Sequence, residues 1–287
     1  MGNPRRLKRR IRPTEIIFGF LKYSSLILVA FITLLPLYAV VITAFKTVDE
    51  FRSTNVMQLP AQLNWESFTR AWEFADMGRG MVITAFVTVV VLLVSVLTGS
   101  QMAFVLSRFK FPGNNLIRNL FLFASLIPSI AMQVPLYLIM AKLGLINSLG
   151  GYILLQCGVD VISVYIYIQF FQNLDVALDE AALIDGANYF RIFYQVLLPL
   201  LKPAIVTCCI LKGVAVYKEY YTANLYLQDK EKFVTMATSL YKFVGPYSGD
   251  YNYICAGVII VLIPVLIIFL ACQKQIYAGL AAGSVKG

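Results

Sequence analysis

Four long uncharged runs dominate the chain: Tyr23 to Phe45 (23 residues), Gly80 to Ser107 (28), Asn119 to Ala141 (23) and Tyr251 to Gln273 (23). Crossing about 30 Å of hydrocarbon as a helix takes about 20 residues, so each run is long enough to span a membrane. Two further stretches are apolar except for isolated charges. Leu143 to Leu174 carries Asp160, and Ala204 to Leu227 carries Lys212, Lys218 and Glu219. The pattern predicts six spans, roughly 20–45, 81–106, 117–141, 148–171, 204–226 and 252–273. Helices are expected throughout, because backbone groups in lipid need partners within their own segment and no alternating strand pattern of about ten residues occurs. The expected fold is an all-α membrane protein, with residues 1–287 forming one transmembrane domain.

Prolines punctuate the spans at Pro36, Pro128, Pro135 and Pro264. Each removes a helix hydrogen bond and permits a kink. Pro128 and Pro135 stand on nearly one face of the expected third span, an arrangement that suits a helix lining a changing cavity and equally suits bundle packing. Gly99 and Ala103 form a small-xxx-small pair in the second span, which favours close helix approach.

Composition supports the membrane reading. Of 287 residues, 59% are hydrophobic and only 14% charged, against about 25% charged in a typical soluble domain. Charge placement predicts the orientation. With both termini cytoplasmic, the cytoplasmic segments hold 14 Lys/Arg and 5 Asp/Glu, whereas the outer segments (46–79, 142–150, 228–250) hold 8 of each. The formal net charge of +9 thus falls on the cytoplasmic face. The basic stretch Arg5 to Arg12 reads as a topology anchor rather than a nucleic-acid contact. The first apolar run is too long for a signal-peptide core and lacks a small-x-small cleavage site, so it reads as an uncleaved helix. The chain has no histidine, and its five cysteines form no C-x-x-C pair. A metal site is therefore not expected.

The outer loop Lys46 to Arg79 contains "NWESFTRAW", with Trp65, Phe68 and Trp72 at helical spacing. This fits an interfacial helix with tryptophan at headgroup level, a docking surface for an outer partner, or both.

The loop at 175–203 is the most informative. It reads "LDEAALIDGANYFRIFYQVLLPLLKP" from Leu178 to Pro203, far longer than the roughly two to eight residues that usually join bundle helices. Asp179 and Glu180 put acid at a helix start, where the dipole favours it. Ala181 and Ala182 allow close approach of another surface. Gly186 permits a sharp turn. A second amphipathic helix is expected, with Phe190, Phe193, Val196 and Leu197 on one face. Pro199 and Pro203 close it and lead into the fifth span. The pattern describes a helix-turn-helix on the cytoplasmic surface, fused to a membrane helix and able to pass on movement from a partner.

These residues resemble the EAA signature of ABC importer permeases, E-A-A-x-x-x-G followed by I-x-L-P, with Val196 standing where isoleucine is usual. The longer stretch, through Asp185, Gly186, Ala187, Phe193, Leu198, Pro199 and Pro203, is similar to the carbohydrate branch of that family. The ending "GLAAGSVKG" resembles the tail of maltose-transporter MalG-type subunits, and "NWESFTRAWE" fits the same group. The resemblance covers nearly the whole chain. It implies a MalG-like type I importer core in the bacterial inner membrane. Glu180, Ala181, Ala182, Asp185, Gly186, Ala187, Phe193 and Pro199 would couple it to a cytoplasmic ATPase. Gly283, Ser284, Val285, Lys286 and Gly287 match the tail that reaches between the two ATPase subunits. The segment "SLYKFVGPYSGDYNY" corresponds to one that reaches toward a sugar-binding protein. The implied partners are a MalF-like second permease, two ATPase subunits, an extracytoplasmic solute-binding protein and membrane lipid. The chain lacks G-x-x-x-x-G-K-[ST], so ATP and Mg are expected on the partner ATPase. No catalytic residue and no cofactor are expected in this chain.

Charges within a span cost at least ~2.5 kcal/mol each, so they should face a partner or a cavity. Lys212 and Glu219 fall on nearly one face of the fifth span. The family often has Trp-Asn-Glu or Trp-Asn-Asp near Tyr217, Lys218 and Glu219; here Tyr217 and Lys218 replace the first two. These three residues are expected either to meet the other permease half or to line a cavity, where Lys218 would favour an acidic saccharide. Snorkelling at a helix end is the third reading. A sugar or oligosaccharide is the expected cargo, with acidic saccharide, glycerol phosphate or polyol as alternatives. An ion-coupled carrier would need intramembrane acids and paired repeats. An intramembrane enzyme would need a nucleophile or metal constellation. Neither pattern stands out.

Overall fold

The computed structural model describes residues 13–243 and 249–284. The basic stretch Arg5–Arg12 lies outside them, as do Val285, Lys286, Gly287 and the middle of the segment before the last span. Among the described residues, three helices are long and apolar enough to cross a membrane. They are α1 (Pro13–Ala44), α4 (Met77–Arg108) and the last, α14 (Tyr251–Ser284). Pro36 and Pro264 sit inside α1 and α14 without ending them. Short helices α2 (Val48–Ser53) and α3 (Glu66–Phe74) fill the loop between α1 and α4.

The expected third span is not one helix. It is α5 (Asn114–Ser125) and α6 (Gln133–Lys142), separated by turns at 126–132. Pro128 falls in that break and supplies no backbone N–H, and the residue before a proline is pushed away from helical angles. Pro135 lies in α6, so the two prolines do not share a helix face. The expected fourth span is also broken. Helices α7 (Leu149–Gln156) and α8 (Val161–Asn173) meet at a 44° bend. Asp160 stands at the start of α8, where its carboxylate accepts a 2.6 Å hydrogen bond from Ser163.

The loop at 175–203 forms α9 (Ala177–Ile184) and α10 (Tyr189–Leu200), and α10 meets α11 (Lys202–Tyr217) at 75°. The expected fifth span breaks at 218–220 and resumes as α12 (Tyr221–Tyr226). A small helix α13 (Met236–Ser239) follows, with a Thr235–Thr238 capping box.

Helix α4 is the central post, packed against α8 and α11, while α14 packs against α1, α3 and α11. At Gly99 a Cβ would lie 3.3 Å from the Tyr167 ring, and Ala103 is fully buried. The small-xxx-small pair is thus the contact that lets α4 and α8 approach. Around it lies the largest core, joining Phe104, Val164, Tyr167, Phe171, Ile192, Phe193 and Leu197. A second core joins Ala44, Ala71, Met77, Met236 and Ala256 at the opposite end. On α3 the small Ser67 and Ala71 face inward, while Trp65 and Trp72 stay exposed. Much of the remaining apolar surface is uncovered, including Phe18, Ile27 and Phe31 on α1 and Leu266, Ile267 and Leu270 on α14. A soluble monomer rarely exposes contiguous apolar patches of this kind.

Candidate functional site

Helix α9 and the start of α10 form a tight helix pair whose turn is fixed by the backbone. Gly186 has φ +80°, the left-handed region that costs an L side chain roughly 1–2 kcal/mol. Its N–H donates to the Leu183 carbonyl (3.0 Å), and the Ala187 N–H donates to the Ala182 carbonyl (2.9 Å). Together these bonds make a Schellman cap, with Ala182 and Ala187 both packed on the main core. Asn188 then starts α10, its side chain accepting from the Arg191 N–H at 2.8 Å. Sequence pattern and structure agree here because each residue acts locally.

The faces of the pair are clear-cut. Asp179 and Ala182 face inward, while Glu180, Ala181, Leu183 and Asp185 are exposed. Ile184 is 87% exposed and Phe190 76%. Phe190 therefore leaves the face expected to hold Phe193, Val196 and Leu197. Phe193 lies in the core, 5.3 Å from the Phe104 ring centroid. It is nearly fully buried and lines the floor beneath Phe190, where it positions α10. Residues Ile192–Leu197 form a π turn, in which Leu198 N–H donates to the Phe193 carbonyl five residues back. Such turns recur at functional sites. Pro199 is exposed at the end of α10. Phe190, Tyr189 and Tyr194 border an apolar cleft of about 310 Å³ against Gln101, Phe104 and Phe109.

The pair is tied to the central post by charge. Arg108, at the end of α4, pairs with Asp179 at 2.7 Å, and both side chains are nearly buried. A second Arg108 nitrogen donates to the Leu174 carbonyl at 3.1 Å. Burial pushes the Asp179 carboxyl up from its ordinary value, and Arg108 opposes that shift. Gln101 on α4 also donates to the Tyr194 hydroxyl at 2.6 Å. Neither Arg108 nor Ile184 stood out in the sequence. Arg108 looked like one more basic loop residue, and Ile184 lay unremarked within the EAA stretch.

The third expected group is split. Tyr217 donates to the Val261 carbonyl at 2.8 Å, tying α11 to α14. Lys218 is exposed at the end of α11. Glu219 sits in the break, where one carboxylate oxygen accepts from the Thr222 N–H at 2.8 Å and so starts α12. Glu219, not Lys218, lines a cavity of about 520 Å³. Gly283 and Ser284 close α14 as its last residues. All five cysteines are free, and no cluster of metal-binding side chains occurs among the described residues.

Residues 95–278 match the family described as the binding-protein-dependent transport system inner membrane component. The chain belongs to that family. It is a multi-pass membrane protein with apolar spanning helices. It is 30% identical over 255 residues to the melibiose/raffinose/stachyose import permease protein MelC of Bacillus subtilis, covering 88% of this chain and 91% of that one. It is 28% identical to the diacetylchitobiose uptake system permease protein NgcG of Streptomyces coelicolor, over 98% of this chain and 93% of that one. The fold matches a solved bacterial ABC transporter involved in import of the acidic polysaccharide alginate. That match has a TM-score of 0.80 at 23% identity and covers 92% of this chain and 98% of that one.

Proposed function

We propose that this family member is one permease half of an ATP-driven oligosaccharide importer. The observation that carries the reading is the exposed α9–α10 face, with Glu180, Ala181, Ile184, Asp185 and Phe190 outward. It is held rigid by the Gly186 cap and by the Arg108–Asp179 pair. An apolar, partly acidic face braced to a spanning helix is the form a docking lever needs. The saccharide names of MelC and NgcG support the cargo class.

In this reading the chain completes six spans, with both termini cytoplasmic and the breaks at 126–132, 157–160 and 218–220 taken within spans. It pairs with a MalF-like second permease. Two separate ATPase subunits bind ATP and Mg and perform hydrolysis, so this chain needs no cofactor and no catalytic residue. Glu180, Ala181, Asp185 and Pro199 meet the ATPase, while Ala182, Gly186, Ala187 and Phe193 hold the lever in shape. Gly283, Ser284, Val285, Lys286 and Gly287 are the tail residues assigned to contact with the ATPase pair. A solute-binding protein delivers the sugar from outside. ATPase closure draws the levers together, and α10 passes that movement through its 75° junction into α11.

The test is uptake by the reconstituted transporter carrying Glu180→Lys. The reading expects loss of uptake and loss of binding-protein-stimulated ATP hydrolysis, with assembly intact. Unchanged uptake and coupling would refute it.

A further inference from the structure

The three interrupted helices converge on one cavity, which is lined by Ser129, Gln133, Gln156, Glu219, Tyr221 and Thr222 together with apolar side chains. Ser129 comes from the break between α5 and α6, Gln156 from the end of α7, and Glu219 from the break between α11 and α12. At about 520 Å³ the space falls within the roughly 300–1,000 Å³ range of small-molecule sites. A broken helix at membrane depth is tolerated where it lines a cavity, and intramembrane binding sites are built from such breaks.

The polar groups here are unevenly satisfied. Gln133 Oε1 is buried and has no hydrogen-bond partner among the described residues. Glu219 uses one oxygen on the Thr222 N–H, and its other oxygen has no partner among the described residues. Both unused atoms are acceptors, and the buried one, Gln133 Oε1, is costly to leave unpaired. Hydroxyl groups supply the donors they lack. The Tyr221 ring, half exposed at this wall, offers an apolar face to a sugar's C–H side. A carboxylated sugar brings further acceptors and a second negative charge. Glu219 is the one charged residue among those lining the cavity.

Building on the importer reading, we infer that this cavity is a saccharide-contacting station in the permease pathway, and that it selects neutral polyhydroxyl ligands over uronate-bearing ones. This half then touches cargo itself. Lys218, the residue that would have favoured an acidic saccharide, does not line the cavity, so the charge preference is reversed.

The test uses the assembled transporter with Thr222→Cys, which keeps the backbone N–H that Glu219 accepts from. Labelling at position 222 is located by peptide mapping, so the native cysteines stay in place. A cationic methanethiosulfonate is expected to react about fivefold faster than an anionic one of similar size, because Glu219 is the one charged side chain lining the cavity. Adding Glu219→Gln should erase the difference. Raffinose at high concentration should slow the labelling, and trigalacturonate should not. No labelling at all would mean that partner side chains fill the cavity, and equal rates for both reagents would remove the charge argument. Equal protection by the two sugars, or none from raffinose, would remove the neutral-saccharide station. Each of these outcomes overturns the inference while leaving ATPase coupling, which this assay does not read, to stand or fall separately.

Discussion

Arg108 on the central helix and Asp179 on α9 form a nearly buried ion pair, 2.7 Å apart, across 71 residues of sequence. It fastens the exposed α9–α10 face to a spanning helix. Burial raises the Asp179 carboxyl, with Arg108 opposing. A carboxyl raised in the folded state favours folding where it is protonated, and that advantage is lost as pH rises through its folded value. Arg108 is what offsets the desolvation of the Asp179 carboxylate.

An asymmetry between the two partners follows. Arg108→Ala leaves a buried carboxylate unpaired and should cost on the order of 3 kcal/mol. Asp179→Asn removes the costly charge, while the guanidinium keeps the Leu174 carbonyl, so it should cost less. Thermal unfolding of the detergent-solubilised transporter measures both. Equal losses would mean that the pair matters through packing alone.

Gly186→Ala should weaken coupling by straining the left-handed turn, at roughly 1–2 kcal/mol. Asn tolerates that region better and should retain more activity. The readout is ATP hydrolysis stimulated by the binding protein. An Ala variant as well coupled as wild type would show that the turn does not govern the docking face.

The 175–203 stretch was legible because its determinants are local. Acid at a helix start, paired alanines, a glycine and prolines all act within a few residues. The Schellman cap at Gly186 is the direct product of that pattern. Long-range pairing left no trace, since nothing near Arg108 points to Asp179. The third span misled for a different reason. Asn119 to Ala141 is uncharged and mostly apolar, and hydrophobicity reports burial or lipid, not whether the backbone stays helical through Pro128. Glu219 read as an intramembrane charge seeking a partner, but its first bond is a helix cap on its own chain. Phe190 matched the period of Phe193, yet Phe190 is exposed and Phe193 is buried in the core.

Gly99→Leu should disrupt the contact between α4 and α8, because even a Cβ meets the Tyr167 ring at 3.3 Å. Overpacking of this kind typically costs about 1–3 kcal/mol. Gly99→Ala should be milder, since the ring edge has to yield by only a few tenths of an ångström. Yield of monodisperse protein and its melting temperature report the difference. A Leu variant as stable as wild type would mean that the two helices are not in close contact.

If this chain works as one half of a permease driven by separate ATPase subunits, it should leave the membrane bound to them. Gentle purification of the tagged chain from its own membranes, followed by native mass spectrometry, should yield one copy of this chain, one copy of a different permease and two ATPase subunits. A lone chain or a homo-oligomer without ATPase, across several mild detergents, would contradict it.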